Sequence, residues 1–406
     1  MQSTVFPAPR SVSLTSLAAA FATVPDPRRA ASVRYPLPAI LAMTVAAILA
    51  NHLSVLAISE WAARQTEPVL TALGFPTVET PCQSTLQRLF AKLDGSALSM
   101  VLAIAMVPTA TPPEATDAAE RVMSFQGVAI DGKAHRGRLR FAGGGCPIHA
   151  LSAYCHTTGV VLAQEPILAP TDTDRGEAEL TVAPILIDRL AWRGRVLTGD
   201  ALFCQRELCA QVLRAGGDYL LAVKANQPTL LTDLRLLFDP PDDGRRRIVD
   251  DRREAETLDY GHGRTLERRV VTASTALVGY LDWPGHAQVL RIERTWREHD
   301  SAHRAVSYAI TSLAPQRAGP AQLLALKRGH WAIENQLHRG KDVNLGEDAS
   351  LIHVASGPHV MALLRDAAIN LLHLAGVRQV AARLRRHAQH PDEAVSLVLG
   401  SLTTHA

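Results

Sequence analysis

Two short apolar runs in this chain each end in an acid. Val128-Ala129-Ile130 leads into Asp131, and Val196-Leu197-Thr198-Gly199 leads into Asp200. Runs of this length and composition read as buried strands. A carboxylate cannot stay charged in a core without a partner, so each acid belongs at a strand end, facing a cleft. That narrows the chain to a sheet whose strand ends open onto one site. The neighbouring segments agree. HALSAYCH and GVVLAQEPI are strand-like runs parted by the turn Thr157-Thr158-Gly159, and DYLLAVKANQ is a strand entering a polar loop. Glu177–Leu190 and Cys204–Ala215 read as helices. Strand, hairpin, helix, strand, helix, strand describes an α/β sheet of mixed direction.

A third acid stands further on, in Leu323 to Asp348 (LLALKRGHWAIENQLHRGKDVNLGED). This stretch reads as a helix of about six turns, ending near the Gly340 to Asn344 segment. Leu326, Ile333 and Leu337 give it an apolar side. Lys327, His330, Glu334, His338 and Lys341 fall at steps of three and four residues and so share the other face. Basic groups around one carboxylate make a poor core and a good polyanion site, although a solvated, ion-paired face shows the same pattern. Asp342, Glu347 and Asp348 compete with Glu334 as the third acid. Glu334 is preferred because it shares its face with His338 and Lys341. Trp331 reads as a packing residue before a base-stacking one.

Asp131, Asp200 and Glu334 brought together would repel unless cations bridged them. Oxygen-only ligation favours Mg²⁺ or Mn²⁺. Two ions roughly 3.5–4 Å apart would stabilise both the attacking and the leaving oxygen at a phosphorus. Lys133, Arg136, Lys224, His330, His338 and Lys341, with Asn226 and Lys327 beside them, would hold a phosphate backbone.

The rest of the chain supports this arrangement. Residues 1–110 read as all-helical, with candidate helices Leu14–Thr23, Leu37–Leu49, Val55–Ala63, a short one before Leu73, Ser84–Leu93 and Ser96–Met106. In Ser84–Leu93, Leu86, Leu89, Phe90 and Leu93 share one face, and Gln87, Arg88 and Lys92 the other. That suits a packing helix first and a helix-turn-helix reader second. Residues 111–121, rich in Pro, Thr and Ala, read as a linker. Residues 122–238 hold the first part of the sheet, 239–313 a mainly β insertion, and 314–406 a second part with a helical C-terminus. Arginines in the insertion are offset by nearby acids, and a net charge of +3 over 406 residues does not by itself demand nucleic acid. Leu37 to Ile58 approaches the length of a membrane span, but Pro38, Asn51 and His52 interrupt it, so a buried core helix is expected. No targeting signal is visible, which points to the cytoplasm. The five cysteines form no CxxC pair and suit a reducing compartment. Cys146, His149, Cys155 and His156 match no common zinc spacing.

VAIDGKAHRG, LTGDALFCQ, YLLAVKANQPTL and HWAIENQLHRGKDVNLGEDAS resemble the signature blocks of insertion-sequence transposases with a DDE triad, and more narrowly the H-repeat-associated branch. VPDPRRAASVRYPLPAILAMTVAAILA and STLQRLFAKLD resemble the helical domain that precedes catalysis in that branch, and GPHVMALLRDAAINLL its C-terminal blocks. The resemblance implies a ribonuclease-H-like fold with a β insertion between the second and third acids. It implies Asp131, Asp200 and Glu334 as catalytic residues and metal ligands. DNA ends and target DNA would be the partners, with a homodimer forming on the DNA. The activity implied is metal-dependent cleavage at element ends followed by strand transfer. A nuclease of the same fold, or an inactive DNA-binding derivative, are the alternatives. Lys341 lies seven residues after Glu334, as the basic residue of the related signature does. Lys327 and His330 stand where that signature has tyrosine and arginine, and Arg339-Gly340 also departs from it.

Overall fold

The computed structural model describes residues 17–106, 125–134, 149–167, 175–240, 251–260, 266–298 and 301–400. Its centre is one sheet of nine strands: β1 (Gln126–Ala134), β2 (His149–Cys155), β3 (Val161–Ile167), β4 (Arg195–Gly199), β5 (Asp218–Val223), β6 (Arg253–Tyr260), β7 (Leu266–Ser274), β8 (Gln288–Glu298) and β9 (Ser301–Thr311). Their order is β3-β2-β1-β4-β5-β9-β8-β7-β6. The first three are antiparallel neighbours, while β1, β4 and β5 run parallel. This is the ribonuclease-H-like arrangement that the resemblance implied.

The β-rich stretch does not stand apart from that sheet. β9 pairs antiparallel with β5, and β8, β7 and β6 follow it in turn. An open β5 edge would expose unpaired N–H and C=O groups, and the added strands satisfy them. Their arginines are matched across the strands: Arg268 meets Glu256 at 2.7 Å, Arg269 meets Asp259 at 2.8 Å, and Arg304 meets Glu293 at 2.8 Å.

The helices are α1 (Leu17–Phe21), α2 (Leu37–Leu49), α3 (Val55–Ala63), α4 (Glu67–Ala72), α5 (Gln83–Phe90), α6 (Gly95–Met106), α7 (Arg175–Asp188), α8 (Arg206–Arg214), α9 (Pro228–Phe238), α10 (Pro320–Gly329), α11 (Arg339–Leu345), α12 (Gly357–Leu374), α13 (Val380–Gln389) and α14 (Pro391–Leu399). α2 is apolar all round and accordingly buried, packed against α1, α12 and α14. It ends at a chain reversal where Asn51 takes φ 68°, a conformation that asparagine tolerates better than most residues. Among the described residues no single helix is long and apolar enough to cross a membrane. α5 buries Leu86, Leu89 and Phe90 and leaves Arg88 exposed, as is Lys92 in the turn that follows.

One apolar core joins the N-terminal helices, the sheet and α12 to α14. A second, smaller core lies on the other face, where Leu323, Leu324 and Leu326 of α10 cover Val196, Leu220 and Leu290. Residues alternate faces along a strand, so Thr198 and Asp200 follow Val196 onto the α10 side.

The long helix expected over Leu323 to Asp348 is not uniform. α10 runs to Gly329. A π-helical turn occupies Ile333–His338, with the Arg339 N–H donating to the Glu334 carbonyl, and α11 follows until Gly346 takes φ 55°. A π turn carries one extra residue, which rotates everything after it by roughly 100° relative to a straight helix.

Candidate active site

β1 and β4 are parallel, with Ala129 opposite Thr198. Two residues beyond that pair stand Asp131, within β1, and Asp200, immediately after β4, both on the side that α10 covers. Both lie toward the C-terminal ends of adjacent parallel strands, where α/β sheets open their ligand crevices. Asp200 accepts a 2.8 Å hydrogen bond from the Leu202 N–H. It keeps solvent access, yet desolvation by the cleft walls raises its pKa, and the nearby Asp131 charge adds to the effect.

Glu334 arrives from the π turn. The ligand atoms of Asp131, Glu334 and His338 all lie within 4.8 Å of one another. This is a donor set able to hold a metal ion. His338 directs Nε2 to within 3.3 Å of Asp131 Oδ2. The turn is tied to the sheet by the Tyr154 hydroxyl, which donates to Gln336 Oε1 at 2.8 Å. Asp200 is not part of that close group, but it lies near enough for the Asp131 charge to help raise its pKa.

The basic residues expected to face phosphate divide sharply. Lys224 and Asn226 are exposed on the loop after β5, and Asn226 also clamps the loop after β4 by donating to the Ala201 carbonyl at 2.6 Å. Lys327 is half-buried near Asp200 and Lys224, and burial lowers its pKa to about 8. His330 is buried against the Thr198 backbone, and burial lowers its pKa to about 4, so it is a neutral group rather than a cation for phosphate. His338 is buried in the acidic cluster instead of lining an open basic face. Arg136 lies outside the described residues.

Two expectations are overturned. Lys133 is committed to Glu347 at 2.8 Å and to Asp342, and it also donates to the His338 carbonyl at 3.4 Å. Lys341 is 2% exposed, held between Glu347 at 3.0 Å and Asp366 at 2.8 Å. Burial disfavours its charge, but Asp366 and Glu347 outweigh this and raise its pKa. Neither lysine is free to meet a phosphate. The rotation introduced by the π turn is the reason for Lys341: it carries the residue off the face that Lys327 and Glu334 share and into the protein. In the same network the two rival acids Asp342 and Glu347 are engaged by lysines.

Sequence reasoning missed the layer beneath the acids. His156 Nε2 lies 2.9 Å from Thr198 Oγ1, two residues before Asp200. Its ring fills a slot floored by glycines, for a Cβ on Gly127 or Gly329 would come within 2.2 or 2.4 Å of it. Asp366 and its neighbour Arg365 were missed as well. Their signal was legible: two charges in the middle of the otherwise apolar α12.

The comparisons with known proteins identify the family. The family described as Transposase DDE domain matches residues 124–371, and the one described as DDE_Tnp_1-associated matches residues 18–104. YncI of Escherichia coli O157:H7 is 27% identical over 368 residues, covering 89% of this chain and 88% of its own. The H repeat-associated protein YhhI of E. coli K12, whose name places it with the transposases, is 27% identical over 68% of this chain and 71% of its own. YbfD of the same strain, also named H repeat-associated, is 35% identical over 25% of this chain and 38% of its own. The solved piggyBac transposase synaptic complex with hairpin DNA aligns over 97% of this chain and 81% of its own, at 10% identity and a TM-score of 0.40, a distant likeness that adds nothing to the family match. With the catalytic-domain match spanning more than half of the chain and the associated domain preceding it, this protein belongs to the DDE transposase family.

Proposed function

We propose that the chain cleaves DNA at the ends of an insertion element and joins the freed 3′ ends to target DNA. The observation that supports this reading is the group formed by Asp131, Glu334 and His338, with Asp200 near enough for the Asp131 charge to act on it. Asp131, Asp200 and Glu334 would hold Mg²⁺ or Mn²⁺, two ions being the number this donor chemistry calls for. When bound, such ions supply Lewis-acid stabilisation of the oxygens around a reacting phosphorus. Lys224, Asn226 and Lys327 border the cleft and would neutralise and orient the phosphate backbone. Thr198, held by His156 and faced by His330, keeps the end of β4 and hence Asp200 in place. Residues 1–110, a linker over 111–121, a catalytic sheet in two parts (122–238 and 314–406) and the β addition of 239–313 form the proposed domain plan. A homodimer on DNA in the cytoplasm is the proposed working state.

The test uses oligonucleotides carrying the DNA that flanks the coding sequence. Cleavage at the element end and joining of its 3′-hydroxyl to a second duplex, both abolished by EDTA and restored by Mg²⁺ or Mn²⁺, are expected. Cutting without joining would make the protein a nuclease of the same fold. Full activity in chelator would overturn the metal assignment.

A further inference from the structure

We propose that His338 is a direct metal ligand, so that the site is a mixed nitrogen–oxygen one that selects Mn²⁺ over Mg²⁺. The inference rests on the metal-binding reading above and extends it.

Three observations carry it. His338 is 4% exposed, and its Nε2 stands 3.3 Å from Asp131 Oδ2, inside the group formed with Glu334. Neither ring nitrogen has a hydrogen-bond partner of acceptable geometry among the described residues. Buried polar groups are almost always satisfied, and an unsatisfied imidazole aimed at two carboxylates fits a metal-binding role. The ring is also held in place from behind. Lys133 donates to the His338 carbonyl at 3.4 Å, and Tyr154 anchors Gln336 in the same turn at 2.8 Å. A side chain that merely filled space would not need its backbone fixed from two strands.

The chemistry follows from the donor set. Mg²⁺ demands oxygen ligands in near-ideal octahedral geometry and keeps much of its water. Imidazole suits first-row transition ions, and Mn²⁺ accepts carboxylate and imidazole together. An imidazole nitrogen beside Asp131 and Glu334 therefore favours Mn²⁺ and places the discriminating atom on the π turn rather than on the sheet.

The experiment is Mn²⁺ binding to the full-length protein, with no DNA and no activity readout. Pulsed electron spin resonance on protein carrying ¹⁴N- or ¹⁵N-histidine should show modulation from one directly bound imidazole nitrogen. His338→Asn should remove that signal, while exposed His353→Asn should keep it. Competition titrations should show Mn²⁺ affinity falling about tenfold or more in His338→Asn, with Mg²⁺ affinity falling much less. Mn²⁺ bound by the wild type without any nitrogen modulation overturns this proposal and leaves the carboxylate reading standing. Failure of the wild type to bind Mn²⁺ at all overturns both. The labelling result on the wild type decides the matter even if the variant folds poorly.

Discussion

Asp131 on β1 and Asp200 directly after β4 each stand two residues beyond the paired Ala129 and Thr198 of these adjacent parallel strands. Their charges act on one another, which contributes to the raised pKa of Asp200. Such a pair is costly in isolation and useful only around a cation.

Asp131→Asn, Asp200→Asn and Glu334→Gln should therefore each abolish cleavage and joining, by a factor on the order of a thousand or more. Each variant should fold, because removing one of several like charges from the metal-free site is neutral or stabilising. Gel assays of end cleavage beside thermal melts check both halves. An active Glu334→Gln beside a dead, well-folded Asp342→Asn would move the third acid.

Lys224 follows β5 into the cleft mouth and is exposed. Lys224→Ala should weaken binding of end DNA and reduce the slope of log affinity against log salt by about one. Fluorescence anisotropy over a salt series measures this. An unchanged slope would remove Lys224 from the DNA path.

The strands and the helices α2 and α3 were legible in the sequence because each is a local signal: an apolar run or a helical period. What it concealed depends on one geometric event. The helix face drawn through Lys327, Glu334 and Lys341 assumes an unbroken α-helix, and nothing in IENQLH announces a π turn. Once that turn is present, Lys341 rotates inward. His338 remains with Glu334 because both lie within the turn itself. The attachment of β9 to β5 was equally invisible, since strand pairing across a long insertion is set by which edge is left open.

Gly127 and Gly329 leave room for the His156 ring, which a Cβ at either position would approach within 2.2 or 2.4 Å. Gly329→Ala should destabilise the protein by roughly 1–3 kcal/mol, the usual range for overpacking. Adding His156→Ala should recover part of that loss, because the clash then has no second party. Urea titrations of the single and double variants give the coupling. Strict additivity would mean that the ring simply moves aside.

Burial lowers the pKa of His156 from 6.5 to about 4. In the folded state the ring is held neutral, so the unfolded chain binds the extra proton first. The sign is thus fixed: this contribution is fully present above pH 6.5, fades as the pH falls, and is gone by about pH 4. His330 acts in the same direction. The shift corresponds to about 3 kcal/mol at most for His156. Unfolding free energy measured between pH 7 and 4 should fall, and His156→Gln should flatten the curve. A variant with the wild-type pH profile would show that His156 does not carry it.

Lys341 and Asp366 form a buried pair at 2.8 Å, 2% and 3% exposed as residues, with Glu347 on the other side of the lysine at 3.0 Å. Removing the lysine leaves the Asp366 carboxylate in the core with its counter-ion gone, whereas removing Asp366 leaves Lys341 still paired with Glu347. Lys341→Met should therefore cost roughly 3–5 kcal/mol, and Asp366→Asn less. The double variant removes one positive and one negative charge, and Glu347 retains Lys133 at 2.8 Å. It should be more stable than the two single losses added together, with a coupling of about 0.5–3 kcal/mol. Loss of DNA binding by Lys341→Met should follow its loss of folded protein, and the salt slope of whatever remains folded should match the wild type. A Lys341→Met protein that melts like the wild type but binds end DNA with a slope shallower by about one would return this lysine to the phosphate backbone. It would also mean that the helix carrying Glu334 turns the other way in the working enzyme.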